Sequence, residues 1–285
     1  MEHTAKNAAI NLKSVLKWCI INIDYVFIVC RKSWKGNKIM LSALFNKSLT
    51  KEELILSLFA YIMVLMLIQP LHECAHAWMA KKMGDDTASL QGRLTLNPFV
   101  HLDPVGTCSM LIFGFGWGKP VPINPLHFKE YRKGMGLSAL AGPVSNFLAA
   151  FVGMITYKLL YYAWAGSLNS EAMLQSMVNG ESVSYGGLYY GYMLMYIFTS
   201  LNIGLGVFNL IPIFPLDGEK VLSWIAPRKV YDKYVQLVNN YKQFTMMLLF
   251  ALMISPVLGW LRSGAFWLFD KATFFADPLG RALFF

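Results

Sequence analysis

The chain has 285 residues, of which 56% are hydrophobic, 15% aromatic and only 14% charged. Soluble domains carry about 25% charged residues, so this composition excludes an ordinary soluble protein and a disordered one, and it favours a helical membrane protein. A net charge of +9 is typical of basic loops that contact the anionic surface of a lipid bilayer, and we expect no nucleic acid partner.

The first 52 residues form a basic segment that the sequence leaves ambiguous. Residues 14–30 are apolar but contain Lys17 and Asp24, so they suit either an amphipathic helix lying on the membrane or an extra transmembrane helix. The four cysteines form no CxxC pair, and their spacing does not indicate a disulfide framework.

Four charge-free apolar runs predict the transmembrane core, because a spanning helix needs about 20 apolar residues. In chain order these runs are 54–71, 134–157, 182–216 and 243–261. We therefore predict an all-α polytopic membrane protein with about four core transmembrane helices. The predicted organisation is an N-terminal segment 1–52, a core 53–225, and a C-terminal helix with an interfacial tail, 226–285.

The connection between the first two runs has a different composition, rich in glycine and proline. Residues 92–125 are interrupted by glycines and prolines at a density that a continuous helix does not tolerate. Irregular backbone at membrane depth survives only where protein or a wet cavity surrounds it. This segment predicts short β-strands or a re-entrant loop near the membrane surface.

Basic residues orient the predicted spans. The connections 81–133 and 220–242 are rich in Lys and Arg, whereas 165–186 has none. The positive-inside rule therefore places the first two connections in the cytoplasm of a multi-pass cell-membrane protein.

The first apolar run ends in an HExxH motif formed by His72, Glu73 and His76. Residues four apart share one helix face, so the two imidazoles can bind one Zn²⁺. Glu73, beside the first ligand, is placed to act as a general base toward water. Ionisable groups at the end of an apolar run are costly and favour a functional interpretation. Cys74, two residues from His72, is expected to pack elsewhere.

A catalytic zinc needs a third protein ligand and an open position for water. Candidates are Asp85, Asp86, His101, Asp103 and Asp217. Asp85 and Asp86 look like a solvated helix exit. Asp217 is favoured because it closes the third apolar run, at the same end of the bundle as His76. Elsewhere in the apolar runs, Asn146, Asn202 and Asn209 suit interhelical hydrogen bonds.

Three motifs together resemble the site-2 protease family of intramembrane zinc metalloproteases. They are HECAHAW at the end of one span, AGPVSN at the start of the next and FNLIPIFPLDG after a third. The resemblance covers about residues 53–225 and is closest to the compact bacterial branch without a PDZ domain.

The resemblance implies one zinc ion per chain, held by His72, His76 and Asp217, with Glu73 as general base. It associates Asn146 with substrate or intermediate binding, and Asn209 matches the Asn that opens the aspartate motif, so both are candidates for contacts with substrate or an oxyanion. The implied activity is cleavage of single-span membrane proteins. Two alternatives remain: a membrane zinc peptidase of another class that acts on soluble or lipidated chains, and a non-proteolytic metal-binding membrane protein.

Overall fold

The computed structural model describes residues 51–113, 116–167 and 186–284. Residues 14–30, and most of the connection 165–186, lie outside this range. The described elements are, in chain order, α1 (Lys51–Met63), a π-helical turn (Val64–Ile68), α2 (Gln69–Lys82), α3 (Thr87–Leu90), α4 (Pro98–His101), α5 (Pro104–Phe113), a 3-10 turn (Pro125–His127), α6 (Tyr131–Ser167), α7 (Gly186–Asn209), α8 (Asp217–Ile225), α9 (Arg228–Asn240), α10 (Lys242–Ile254), α11 (Pro256–Ala272) and α12 (Ala276–Phe284).

Three described helical segments are long and apolar enough to cross a membrane. They are Leu58–Lys82, which joins α1, the π-helical turn and α2, then α6, and then α7. These segments match the first three predicted spans. The long helix α6 packs against α2, α7, α8 and α12, so it is the central element of the described fold.

The fourth predicted span differs from the structure. Instead of one helix over 243–261, the chain forms α10 and α11, which are separated at Ser255. Ser255 has an extended backbone, with φ −80° and ψ 155°. The cause is Pro256, because a proline ring disfavours the α conformation in the residue before it.

The predicted short strands between the first two spans are wrong for the residues that the structure describes there. These residues form short helices and one isolated antiparallel bridge between Leu102 and Gly118. Two Asn-Pro pairs start helical turns: the Asn97 side chain accepts a hydrogen bond from the Phe99 N–H at 3.1 Å, and the Asn124 side chain accepts one from the Leu126 N–H at 3.2 Å. Capping by Asn, with Pro at the first helical position, favours a helix start over a strand.

Candidate metal centre

Helix α2 presents its two motif histidines side by side. His72 and His76 lie one turn apart, both are buried, and their ring centroids are 4.5 Å apart in an edge-to-face arrangement. The π-helical turn ends just before α2, and the backbone stays helical through Ile68 and Gln69 into α2. Pro70 lacks the N–H that a continuous helix would use, and it lies directly after the π-helical turn, where the regular hydrogen-bond pattern is already interrupted.

Asp217 reaches the same place from a distant part of the chain. Residues 210–216 are irregular, and α8 then begins at Asp217. The Asp217 Oδ2 atom lies 3.2 Å from the Nε2 atoms of both His72 and His76. Gly218 is required behind it, because a Cβ there would stand 2.3 Å from the Leu210 carbonyl oxygen.

The other end of α8 is held by Arg132 at the start of α6. Its Nε donates to the Ser223 carbonyl oxygen at 2.6 Å, and its Nη2 donates to the Ala226 carbonyl oxygen at 2.5 Å. These carbonyls belong to the last turn of α8, where no helical N–H is available to them. Arg132 therefore fixes the helix that carries Asp217 against α6.

The three side chains fit a zinc ion. One ligand atom from each of His72, His76 and Asp217 lies within 4.8 Å of the others. Ligand atoms around a tetrahedral zinc stand about 3.3 Å apart, close to the two observed separations between carboxylate and imidazole. Two nitrogens and one carboxylate oxygen also leave a fourth position free, as in catalytic zinc sites.

Helix α6 closes one side of this cluster at Gly142. A Cβ at Gly142 would stand 2.4 Å from His76 Cε1 and 2.6 Å from His72 Cε1. Only a glycine lets the α6 backbone approach both rings so closely. The Gly-Pro pair of the AGPVSN motif is thus part of the centre's wall.

Helix α6 also orients both rings through their other nitrogens. His76 Nδ1–H donates to the Ser138 carbonyl oxygen at 2.7 Å, and His72 Nδ1–H donates to Asn146 Oδ1 at 2.6 Å. A proton on each Nδ1 leaves the Nε2 lone pair free for a metal.

The pKa of Asp217 is set by two opposing effects. Burial raises it, whereas His76 and His72 lower it more when their Nε2 atoms also carry protons, which a bound metal would displace, so the net pKa lies below the usual carboxyl range. The side chain is therefore a carboxylate in the folded protein, which is the form that binds a metal.

Comparison with known proteins agrees with this geometry. A family model described as Peptidase family M50 matches residues 129–252. A Bacillus subtilis protein named as a zinc metalloprotease, YwhC, is 36% identical over 206 residues, covering 72% of this chain and 86% of its own. The chain belongs to peptidase family M50, the site-2 protease family.

Two more distant M50 relatives carry similar names. Rip2 of Mycobacterium tuberculosis, also named as a zinc metalloprotease, is 28% identical and is aligned over 70% of this chain and 69% of its own. Zinc metalloprotease MJ0392 of Methanocaldococcus jannaschii is 27% identical, over 66% of this chain and 41% of its own. No solved structure matches the chain. The M50 family and its relatives identify a membrane zinc metalloprotease.

The remaining candidate ligands of this M50 chain lie elsewhere. Asp86 is exposed, as expected. His101 is buried, and its Nε2 donates to the Thr95 carbonyl oxygen at 2.8 Å. Asp103 accepts from the Gly106 N–H at 2.7 Å, which caps the start of α5. Within the described residues, the metal-compatible group is formed by the two motif histidines and Asp217 alone.

Asp85 was expected to be a solvated residue at the end of α2, and this prediction is wrong. Its side chain is fully buried and accepts hydrogen bonds from the Thr87 N–H at 3.0 Å, the Asn124 N–H at 2.7 Å and His127 Nδ1 at 2.9 Å. Burial raises the pKa of Asp85, but these hydrogen bonds lower it by more than burial raises it, so the net pKa is below its ordinary value. Asp85 thus ties the loop after α2 together.

The two asparagines expected to contact substrate lie in different settings. Asn146 is fully buried; its Oδ1 accepts from His72, and its Nδ2 donates to Asn202 Oδ1 at 3.2 Å. Asn209, the last residue of α7, is half-buried, and its Nδ2 donates to the Leu205 carbonyl oxygen at 3.1 Å. Asn146 therefore orients the His72 ring, a role that sequence reasoning missed because it depends on contacts between helices.

Proposed function

We propose that this chain is a multi-pass intramembrane zinc metalloprotease that hydrolyses peptide bonds in the transmembrane segments of single-span proteins. The observation that carries the proposal is the position of Asp217 Oδ2, at 3.2 Å from both imidazole Nε2 atoms. Two distant stretches of chain meet there, beside apolar helices long enough to cross a bilayer.

In the proposed reaction, His72, His76 and Asp217 hold one zinc ion. When bound, zinc supplies Lewis-acid chemistry, which acidifies water and polarises a carbonyl oxygen. Glu73 follows the first ligand on α2 and is half-buried. Its carboxylate accepts a proton from the attacking water and returns it to the leaving amine.

In the proposed mechanism, Asn209 is the asparagine that contacts the substrate. Both polar groups of Asn146 already have partners, whereas Asn209 lies at the end of α7, where the chain leaves its regular helix toward Asp217. The proposed site faces the cytoplasm, because the basic connections 81–133 and 220–242 flank the ends of α2 and α8.

The decisive experiment co-expresses the protein with a panel of single-span membrane proteins and measures size shifts. Glu73→Gln should abolish cleavage while the purified protein keeps its zinc, since the amide cannot accept the proton. Glu130→Gln, at an exposed glutamate before α6, is the matched control and should cut like the wild type. Cleavage by Glu73→Gln would refute the assignment of the base, and wild-type protein that folds without binding zinc would refute the proposed function.

Asp217→Ala separates this proposal from another class of membrane zinc peptidase. Loss of one of three ligands should weaken zinc binding by about 1,000-fold, measured by chelator competition. Asp86→Ala, at an exposed aspartate in the loop between α2 and α3, should leave zinc affinity unchanged. Full zinc affinity in Asp217→Ala would mean that another residue completes the site.

A further inference from the structure

A chain of side-chain amides links the metal centre to the backbone of α7. His72 Nδ1 is 2.6 Å from Asn146 Oδ1, and Asn146 Nδ2 is 3.2 Å from Asn202 Oδ1. Asn202 Nδ2 in turn is 2.9 Å from the Phe198 carbonyl oxygen. Three helices, α2, α6 and α7, are therefore connected by one line of hydrogen bonds.

The last acceptor in this chain sets the direction of every bond. A backbone carbonyl only accepts, so the amide nitrogen of Asn202 must face Phe198, and its oxygen must face Asn146. Asn146 then has to turn its own nitrogen toward Asn202 and its oxygen toward His72. An oxygen at that position accepts a hydrogen bond from Nδ1–H, so a neutral His72 ring carries its lone pair on Nε2, on the side of Asp217.

Because both asparagines are buried, reversing the direction of these hydrogen bonds would be energetically costly. Asn146 and Asn202 are both 0% exposed, so a reversed amide would place two donors or two acceptors face to face with no solvent to compensate. A reversed Asn146 would present N–H groups to His72 and favour a proton on Nε2, the nitrogen needed by the metal.

The second histidine reaches the same state by a shorter route. His76 Nδ1 faces the Ser138 carbonyl oxygen directly, at 2.7 Å. A backbone carbonyl thus fixes each ring in the same tautomer. One contacts His76 directly, whereas the other acts on His72 through the side-chain amides of Asn202 and Asn146. This comparison indicates that Asn202, which does not contact the three cluster residues, fixes the orientation of the amide that faces His72.

We propose that Asn202 is a positioning residue for zinc: it holds the Asn146 amide in the one orientation that keeps the Nε2 lone pair of His72 available. The inference rests on the proposed function, since it concerns the same centre. Asn202 acts through Asn146 and His72, and it touches neither metal nor substrate.

The first measurement compares zinc affinities of the purified full chain by chelator competition. Asn202→Val should weaken zinc binding by about 10-fold, the usual scale for the loss of a hydrogen-bond partner behind a metal ligand. Thr199→Val is the matched control: Thr199 is equally buried one turn earlier in α7, and its hydroxyl donates to the Met195 carbonyl oxygen at 2.8 Å. The control should bind zinc like the wild type.

The second measurement repeats the comparison in an Asn146→Asp background. A carboxylate presents an oxygen to His72 whichever way it is turned, so it no longer needs Asn202 to orient it. Adding Asn202→Val to Asn146→Asp should therefore change zinc affinity by less than about 2-fold. Asn202→Ala, which cannot clash with its neighbours, replaces Asn202→Val in both backgrounds if the valine variant does not fold.

The outcomes are distinct. An equal loss of zinc affinity in both backgrounds would show a merely structural role for Asn202 and overturn the inference. Unchanged affinity in the single variant would overturn it as well, while the proposed function would stand. Wild-type protein that binds no zinc would instead refute the proposed function itself.

Discussion

Two polar clusters lie along α6, each around a buried ionisable side chain, and their charges are satisfied in opposite ways. The metal cluster is His72, His76 and Asp217, beside Gly142. The lysine cluster is Lys158, Asp270 and Asp277, about 24 Å further along the helix at 1.5 Å per residue. Both place ionisable groups among apolar helices, where such groups need a partner.

The lysine cluster contains its own counter-charges. Lys158 is 4% exposed, and its Nζ lies 2.9 Å from Asp277 Oδ2 and 3.0 Å from Asp270 Oδ1. The same ammonium donates to the Asp270 carbonyl oxygen at 3.0 Å. This cluster joins α6 to α11 and α12 and is complete without any ligand.

The metal cluster is arranged for a cation from outside the protein. Its three side chains turn lone pairs toward one another, and Lys220 Nζ lies 4.0 Å from Asp217 Oδ1, the oxygen that faces away from the histidines. The contrast shows how a structural cluster differs from a ligand site. Charges that balance within a cluster hold helices together, whereas lone pairs that converge on one point indicate a site for a cation.

Among the variants that test this comparison, Gly142→Ala has the largest expected effect, on the metal cluster. The added methyl would stand 2.4 Å from His76 and 2.6 Å from His72, so the rings must separate or lose the metal. We expect zinc affinity to fall by more than about 100-fold, measured by chelator competition. Gly191→Ala is the control, since its Cβ meets only Leu160 at 3.8 Å. Wild-type zinc affinity in Gly142→Ala would show that the rings do not need this close wall.

Lys158→Met tests the other side of the comparison. It should lower the free energy of unfolding by about 2–3 kcal/mol, because the two carboxylates lose their shared cation while water compensates part of the loss at their exposed sides, and it should leave zinc affinity unchanged. Thermal unfolding in detergent measures the first effect and chelator competition the second. Lys133→Met, at an exposed pair with Glu130, should cost less than about 1 kcal/mol. A loss of zinc affinity in Lys158→Met would mean that the clusters are coupled.

The smallest expected effect is that of Asp85→Asn, which probes a carboxylate that accepts hydrogen bonds from Thr87, Asn124 and His127. Its lowered pKa means that the charged form stabilises the fold at neutral pH, and that this contribution is lost as pH falls through the folded pKa. We expect Asp85→Asn to cost about 2 kcal/mol at pH 7 and less in acid. Hydrogen exchange of residues 84–128 measures the loss, with Asp86→Asn as the exposed control. Equal costs at both pH values would contradict the charged form's role.

Sequence alone located much of the site because its signals are local. HExxH places His72 and His76 on one face of a helix whatever surrounds it, and an aspartate after two prolines stood out at the end of an apolar run. The three described spans were predictable for the same reason: each contains a long stretch without charge.

Contacts between distant residues were beyond the sequence. The second apolar run was ended at Lys158, whereas α6 continues to Ser167 and buries that lysine against partners more than 100 residues away. Asp85 is buried by groups 39 and 42 residues further along the chain. Such pairings follow from the packing of helices, and no local pattern encodes them.

The π-helical turn Val64–Ile68 lets the span that carries the motif hold one residue more than a regular α-helix of the same pitch. Removing one residue between Val64 and Ile68 would let this turn close as ordinary α-helix and would keep both histidines facing α6. Removing one residue from the regular helix between the π-turn and His72 would instead rotate the histidines by about 100°. The two deletions change the hydropathy of the span almost equally, so the orientation of the histidines depends on where a residue is lost as well as on the motif itself.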